Sequence, residues 1–84
     1  MKSININYVS NRRGKIIDLQ SPVDYKNYHL RGAVNIPYDE LLNNYRKYLN
    51  KNETYYIYCK SGKLSKRMST MLDYLGYNVI MIEN

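Results

Sequence analysis

The stretch Thr54-Tyr55-Tyr56-Ile57-Tyr58-Cys59-Lys60-Ser61-Gly62-Lys63-Leu64 decides how this chain is read. Thr54 to Tyr58 is a β-branched and aromatic run of strand length, apolar enough to be buried on both faces. Cys59 to Lys63 is a short polar loop with a glycine and two lysines. From Leu64 the apolar residues Leu64, Met68, Met71, Leu72 and Leu75 recur at helical spacing, and Gly76 ends the run. The pattern is strand, tight loop, helix, with a thiol at the end of the strand. A helix N-terminus offers unpaired backbone N–H groups and the positive end of its dipole. A sulfur held there is electrostatically favoured as the thiolate, the nucleophilic form. Cys59 is the only cysteine in the chain, and its loop marks it as a chemical site.

Outward from this segment, strands and helices alternate. Lys15-Ile16-Ile17-Asp18-Leu19 reads as a strand stopped at Ser21-Pro22, with Pro22 suited to the first turn of a short helix through Tyr28. Gly32 to Ile36 reads as a second short strand closed by Pro37. Asp39 is a candidate N-cap for a helix from Glu40 to Leu49, with Leu41, Leu42, Tyr45, Tyr48 and Leu49 on one face. Tyr77 to Ile82 supplies a last strand. Such alternation predicts an α/β fold with a small parallel sheet. Active sites of these sheets lie beyond the carboxyl ends of the strands, where Cys59 stands.

Composition narrows the function classes. Eighty-four residues make one small domain, burying a little over ~60% of its unfolded surface. Thirteen Lys and Arg against seven Asp and Glu give a net charge of +6, suited to small anions. Arg12-Arg13 and Lys66-Arg67 are too short to be nucleic-acid arms, so nucleic acid is not the expected partner. All eleven tyrosines, with neither Phe nor Trp, are read mainly as packing residues. A lone cysteine cannot form an internal disulfide, and no apolar stretch has the length of a signal or a membrane span. The expectation is a cytoplasmic chain. With one His and one Cys, a metal set is not expected.

Three segments, in order, resemble the rhodanese family of sulfurtransferases. Ile16 to Leu19 resembles the strand that ends in the family's Asp. His29-Leu30-Arg31-Gly32-Ala33-Val34-Asn35-Ile36-Pro37 resembles its His-x-x-Gly-Ala-x-Asn-Ile-Pro stretch, the most specific of the three. Tyr58 to Ser65 resembles the active-site loop Cys-x-x-Gly-x-Arg-Ser. The resemblance implies a single rhodanese-like domain over residues 1–84, in a minimal version without the usual C-terminal helix. That absence leaves one sheet face to be covered, within the chain or by a second copy. It also implies covalent catalysis through a Cys59 persulfide. A small anionic donor such as thiosulfate would load the sulfur, and cyanide or a thiol, including a thioredoxin-like or sulfur-relay protein, would accept it. No cofactor is implied.

Within the site, Lys60, Ser61, Gly62, Lys63, Leu64 and Ser65 form the substrate-binding loop, their amides expected to point inward. Ser65 is expected to donate its hydroxyl or cap the helix. Asp18 and His29 are expected as structural supports. Gln20 and Leu64 depart from the family, each standing where an arginine is usual. The alternative is a sulfur-carrier or anion-binding module with little turnover of its own. A phosphatase or arsenate reductase fits less well, because Ser65 occupies the sixth place after Cys59, where a phosphate-gripping arginine belongs.

Overall fold

The computed structural model describes residues 1–11 and 14–84, so Arg12 and Arg13, weighed above as a basic pair, lie outside the described residues. In chain order the elements are β1 (Lys2–Asn5), a 3-10 helix (Ile6–Asn11), β2 (Lys15–Asp18), α1 (Pro22–Asn27), β3 (Val34–Asn35), α2 (Tyr38–Tyr48), β4 (Thr54–Tyr58), α3 (Lys63–Tyr74) and β5 (Asn78–Glu83). The strands form one sheet in the order β1-β5-β4-β2-β3. Every pairing is parallel, with Ile57 of β4 opposite Ile17 on one side and Met81 on the other. The expected α/β parallel architecture is the one found. No helix is long and apolar enough to cross a membrane among the described residues.

The central position of β4 explains its unbroken apolar run. Side chains alternate across a strand, so Tyr55, Ile57 and Cys59 enter one core with Leu41 of α2 and Met68 and Leu72 of α3. Tyr56 and Tyr58 enter the other, with Val9 and Ile82, flanked by Ile4, Ile6 and Leu30. On this second face the N-terminal segment packs over the strands, and Tyr56, Tyr58 and Ile82 are each at most 5% exposed.

Several boundaries differ from the sequence reading for local reasons. Helix α2 has Pro37 at its N-cap position with no side-chain cap bond, and Asp39 lies within its first turn, where a carboxylate complements the dipole without capping. A break at Asn44, whose amide donates to the Glu40 carbonyl, divides α2. Beyond it Tyr48 turns outward and donates to the Glu40 carboxylate, so it is no core residue. That bond to a carboxylate, with lesser desolvation, raises the Tyr48 pKa. The Gly32–Ile36 strand shrinks to Val34–Asn35 at the sheet edge. On α3, Met68 and Leu72 are buried with Ser65 and Ser69, whereas Leu64, Met71 and Leu75 are half-buried. The two serines let the helix approach the sheet more closely than larger residues would.

Candidate active site

Strand β4 ends at Tyr58, and Cys59 follows at the carboxyl edge of the sheet. The chain then reverses through Gly62, which has φ +83 and serves as the N-cap of α3 without a side-chain cap bond. A left-handed residue is what aims two N–H groups back at the strand end. The Gly62 and Ser65 amides each donate to Cys59 Sγ at 3.1 Å. The Ser65 hydroxyl lies 3.4 Å from the sulfur and donates to the Gly62 carbonyl at 3.0 Å. It is therefore an internal brace of the loop rather than the helix cap. A protonated Cys59 can donate to Ser65 Oγ; a thiolate, an acceptor only, retains both amide bonds. The inward convergence of the loop amides is narrower than expected, since the Lys63 N–H goes to Ser61 Oγ at 3.3 Å. Cys59 is 3% exposed and Ser65 fully buried.

Asp18 ends the neighbouring strand β2, fully buried. Its two carboxylate oxygens accept from the Gln20 backbone N–H at 2.8 Å and from Gln20 Nε2 at 2.9 Å. The same Nε2 donates to the Tyr28 carbonyl at 3.0 Å. Gln20 thus joins the strand end to the segment after α1 with a neutral amide, where the family's arginine would bring a charge. Asn35, whose importance the sequence reading missed, donates from Nδ2 to the carbonyls of Asp18 and Gln20 at 3.1 and 2.9 Å. Its only sequence signal is its place in the Gly-Ala-x-Asn-Ile-Pro stretch. His29 is exposed, with its ring stacked on Tyr25 at 3.9 Å and its Nδ1 2.7 Å from the Tyr25 carbonyl. Facing a carbonyl, that nitrogen acts as the donor. The Tyr25 hydroxyl in turn donates to the Ala33 carbonyl. His29 and Tyr25 together brace the turn that leads into β3.

Three hollows border the loop. One, of about 350 Å³, is lined by Gln20, Asp24, Asn27, Tyr28, Tyr58 and Lys60. Burial is the main cause raising the Tyr58 phenol pKa, with smaller contributions from Tyr28, Asp18 and Cys59. Another, of about 660 Å³, runs along the outer side of α3 and is lined by Ser61, Lys63, Leu64, Lys66, Arg67 and Thr70. Leu64 both borders this groove and packs on the core. Cys59 lines none of the three. Among the described residues no cluster of three His, Cys, Asp or Glu side chains could hold a metal ion.

At the carboxyl edge of the sheet, then, a buried thiol accepts from two backbone amides at the start of a helix. Proteins similar to this chain carry the same theme in their names. A thiosulfate sulfurtransferase, PspE, of Escherichia coli is 34% identical over 62 residues, covering 73% of this chain and 60% of that protein. A tRNA sulfurtransferase of Pyrobaculum aerophilum is 41% identical over 61 residues, 73% of this chain but 12% of that much longer protein. The chain thus spans less than two thirds of either relative. A crystal structure from Staphylococcus saprophyticus superposes with a TM-score of 0.89 at 29% identity, covering 100% of this chain and 88% of that one. The model of the Rhodanese-like domain family matches residues 5–84, and the chain belongs to that family.

Proposed function

We propose that this protein is a sulfurtransferase in which residues 1–84 act as one rhodanese-like domain and Cys59 carries the sulfur. The observation that supports this most directly is the pair of amides, from Gly62 and Ser65, each 3.1 Å from Cys59 Sγ. In the first step the Cys59 thiolate attacks the outer sulfur of thiosulfate. The S–S bond of the donor breaks, its electron pair leaves with sulfite, and Cys59 becomes a persulfide. In the second step cyanide or a thiolate attacks the outer sulfur of that persulfide and the Cys59 thiolate is restored. Splitting one transfer into two displacements is the ordinary benefit of covalent catalysis. The two amides hold the charge that returns to Cys59 in the second step, as an oxyanion hole does. The name of the Escherichia coli relative supports thiosulfate as the donor. A thiol that cycles through a persulfide suits a reducing compartment, and the reading places the activity in the cytoplasm.

The deciding experiment is intact mass spectrometry after incubation with thiosulfate. The protein gains the mass of one sulfur atom, and cyanide or dithiothreitol removes it. A protein unchanged in mass at millimolar thiosulfate would end the reading.

Lys60 and Lys63, both exposed on the loop, favour arrival of the dianionic donor and departure of sulfite. Because exposed charges act weakly and are screened by salt, each Lys→Ala change should lower kcat/KM for thiosulfate by about two- to five-fold. The wild-type rate should fall as salt rises. Cyanide attack on a preformed persulfide should change less, since cyanide at neutral pH is mostly uncharged HCN. Steady-state kinetics at low and high ionic strength check this. Unchanged kinetics in both variants and at all salt concentrations would leave donor binding to the backbone amides alone.

A further inference from the structure

Lys63, Lys66, Arg67 and Thr70 occupy successive i, i+3, i+4 and i+7 positions of α3 and form one exposed stripe leading away from the Cys59 loop. No acidic residue stands in the first turn of α3, and the two cations there, Lys63 and Lys66, oppose the helix dipole. Such a placement is destabilising for the helix itself. None of the stripe's three cations is paired with a carboxylate: the ion pair present among the described residues joins Lys15 to Glu53, elsewhere on the surface. Glu83 borders an adjoining hollow with Lys63 and Lys66, and its carboxylate accepts from the Ser3 hydroxyl. The groove of about 660 Å³ alongside the stripe has Leu64 and Thr70 between these cations. It is too large for thiosulfate alone and has both an apolar floor and a cationic rim.

Resting on the sulfurtransferase reading, we propose that this groove docks an acidic segment of a protein that takes sulfur from Cys59, with carboxylates on Lys66 and Arg67 and an apolar side chain on Leu64. Charge complementarity selects the occupant. A chain of net charge +6 whose groove cations are unpaired attracts acidic partners, and the Leu64 floor favours a peptide that alternates acidic and apolar residues over a purely polyanionic one. The groove begins at Ser61 and Lys63 in the active loop, so a segment seated there is tethered beside the persulfide. The partner thiolate then attacks the outer sulfur, the S–S bond to Cys59 breaks, and its electron pair returns to Cys59 as the thiolate. The partner leaves as a persulfide.

The test uses the full chain loaded with sulfur by thiosulfate, and two synthetic acceptor peptides. One carries acidic residues, a leucine and a cysteine; the other has amides in place of its carboxylates. At low salt the acidic peptide should accept sulfur with a KM roughly ten-fold below that of the amide peptide, and high salt should close the gap. Lys66→Ala/Arg67→Ala should close it too, while sulfur loading and transfer to cyanide stay at wild-type rates. In Lys66→Glu/Arg67→Glu the preference should pass to a peptide with lysines in place of its acids. Equal KM values for acidic and amide peptides in the wild type would overturn the docking surface, while intact transfer to cyanide would leave the sulfurtransferase reading standing. Tighter binding of an oligouridylate than of the acidic peptide, lost in the alanine variant, would overturn it in favour of a nucleic-acid surface.

Discussion

Cys59→Ser is expected to abolish sulfur loading and reduce thiosulfate:cyanide turnover to background, a loss of roughly 10⁴–10⁶-fold, as for removal of a nucleophile elsewhere. The substitution suits the test because it changes a single buried atom, sulfur, for a smaller one that still accepts hydrogen bonds. The Gly62 and Ser65 amides keep an acceptor in the serine oxygen, so the loop retains its bonds and the protein its fold. What disappears is the polarisable sulfur that can bear a second sulfur. Circular dichroism and thermal melting of the variant should match the wild type while its mass after thiosulfate treatment stays unchanged. A Cys59→Ser protein that still gained sulfur or turned over would mean that chemistry occurs elsewhere, since the chain has no other thiol. In that event the buried Cys59 would be a packing residue, as free cysteines in cores commonly are.

The parts of this molecule legible in its sequence are those where one physical demand dominates. β4 is central, both its faces must be apolar, and the run Tyr55 to Tyr58 shows it. α3 is amphipathic, and its period is visible from Met68 to Leu72. β1 escaped notice for the converse reason. Lys2 to Asn5 forms an edge strand that is mostly exposed, so no alternation marks it, and its pairing with Ile80 to Glu83 depends on a partner far along the chain. The 3-10 helix has no periodic signature either, yet its Val9 helps close the second core.

The site divides along the same line. Cys59 and its loop could be read from spacing, because a strand, a glycine and a helix start follow one another. That the amides reaching the sulfur are those of Gly62 and Ser65 is visible only in the structure. The supports could not be read from spacing. Asn35 acts through its side-chain amide on two carbonyls, and Gln20 through an amide shared between a carboxylate and a carbonyl. Neither role follows from hydropathy or propensity. On sequence grounds Gln20 stood out as a missing charge; in the structure it satisfies a fully buried Asp18. The sequence places the N-cap of α2 at Asp39, whereas it lies two residues earlier, at Pro37, a difference that only the backbone conformation shows.

Gly62→Ala should separate the stability of the loop from its chemistry. A Cβ built at Gly62 meets nothing within 4 Å, so any effect is conformational rather than steric. With φ at +83, an alanine there must either hold a left-handed conformation, at about 1–2 kcal/mol, or relax the turn. Relaxation withdraws the Gly62 N–H from Cys59 Sγ and disturbs the brace between Ser65 and the Gly62 carbonyl. Losing one amide donor of an oxyanion-hole kind costs about 10²–10³ in rate, so kcat/KM should fall by up to that factor. Gly76→Ala is the matched control. Gly76 also has positive φ, +93, and a Cβ there would meet only the Lys51 side chain, at 3.6 Å. It lies at the far end of α3, where its N–H donates to the Asp73 carbonyl, away from the thiol. Both variants should lose comparable stability in urea unfolding, and only Gly62→Ala should lose activity out of proportion. Equal activity in the two would mean that the Gly62 amide does not stabilise charge on the sulfur, and the catalytic contribution of the loop would pass to Ser65 and the helix end.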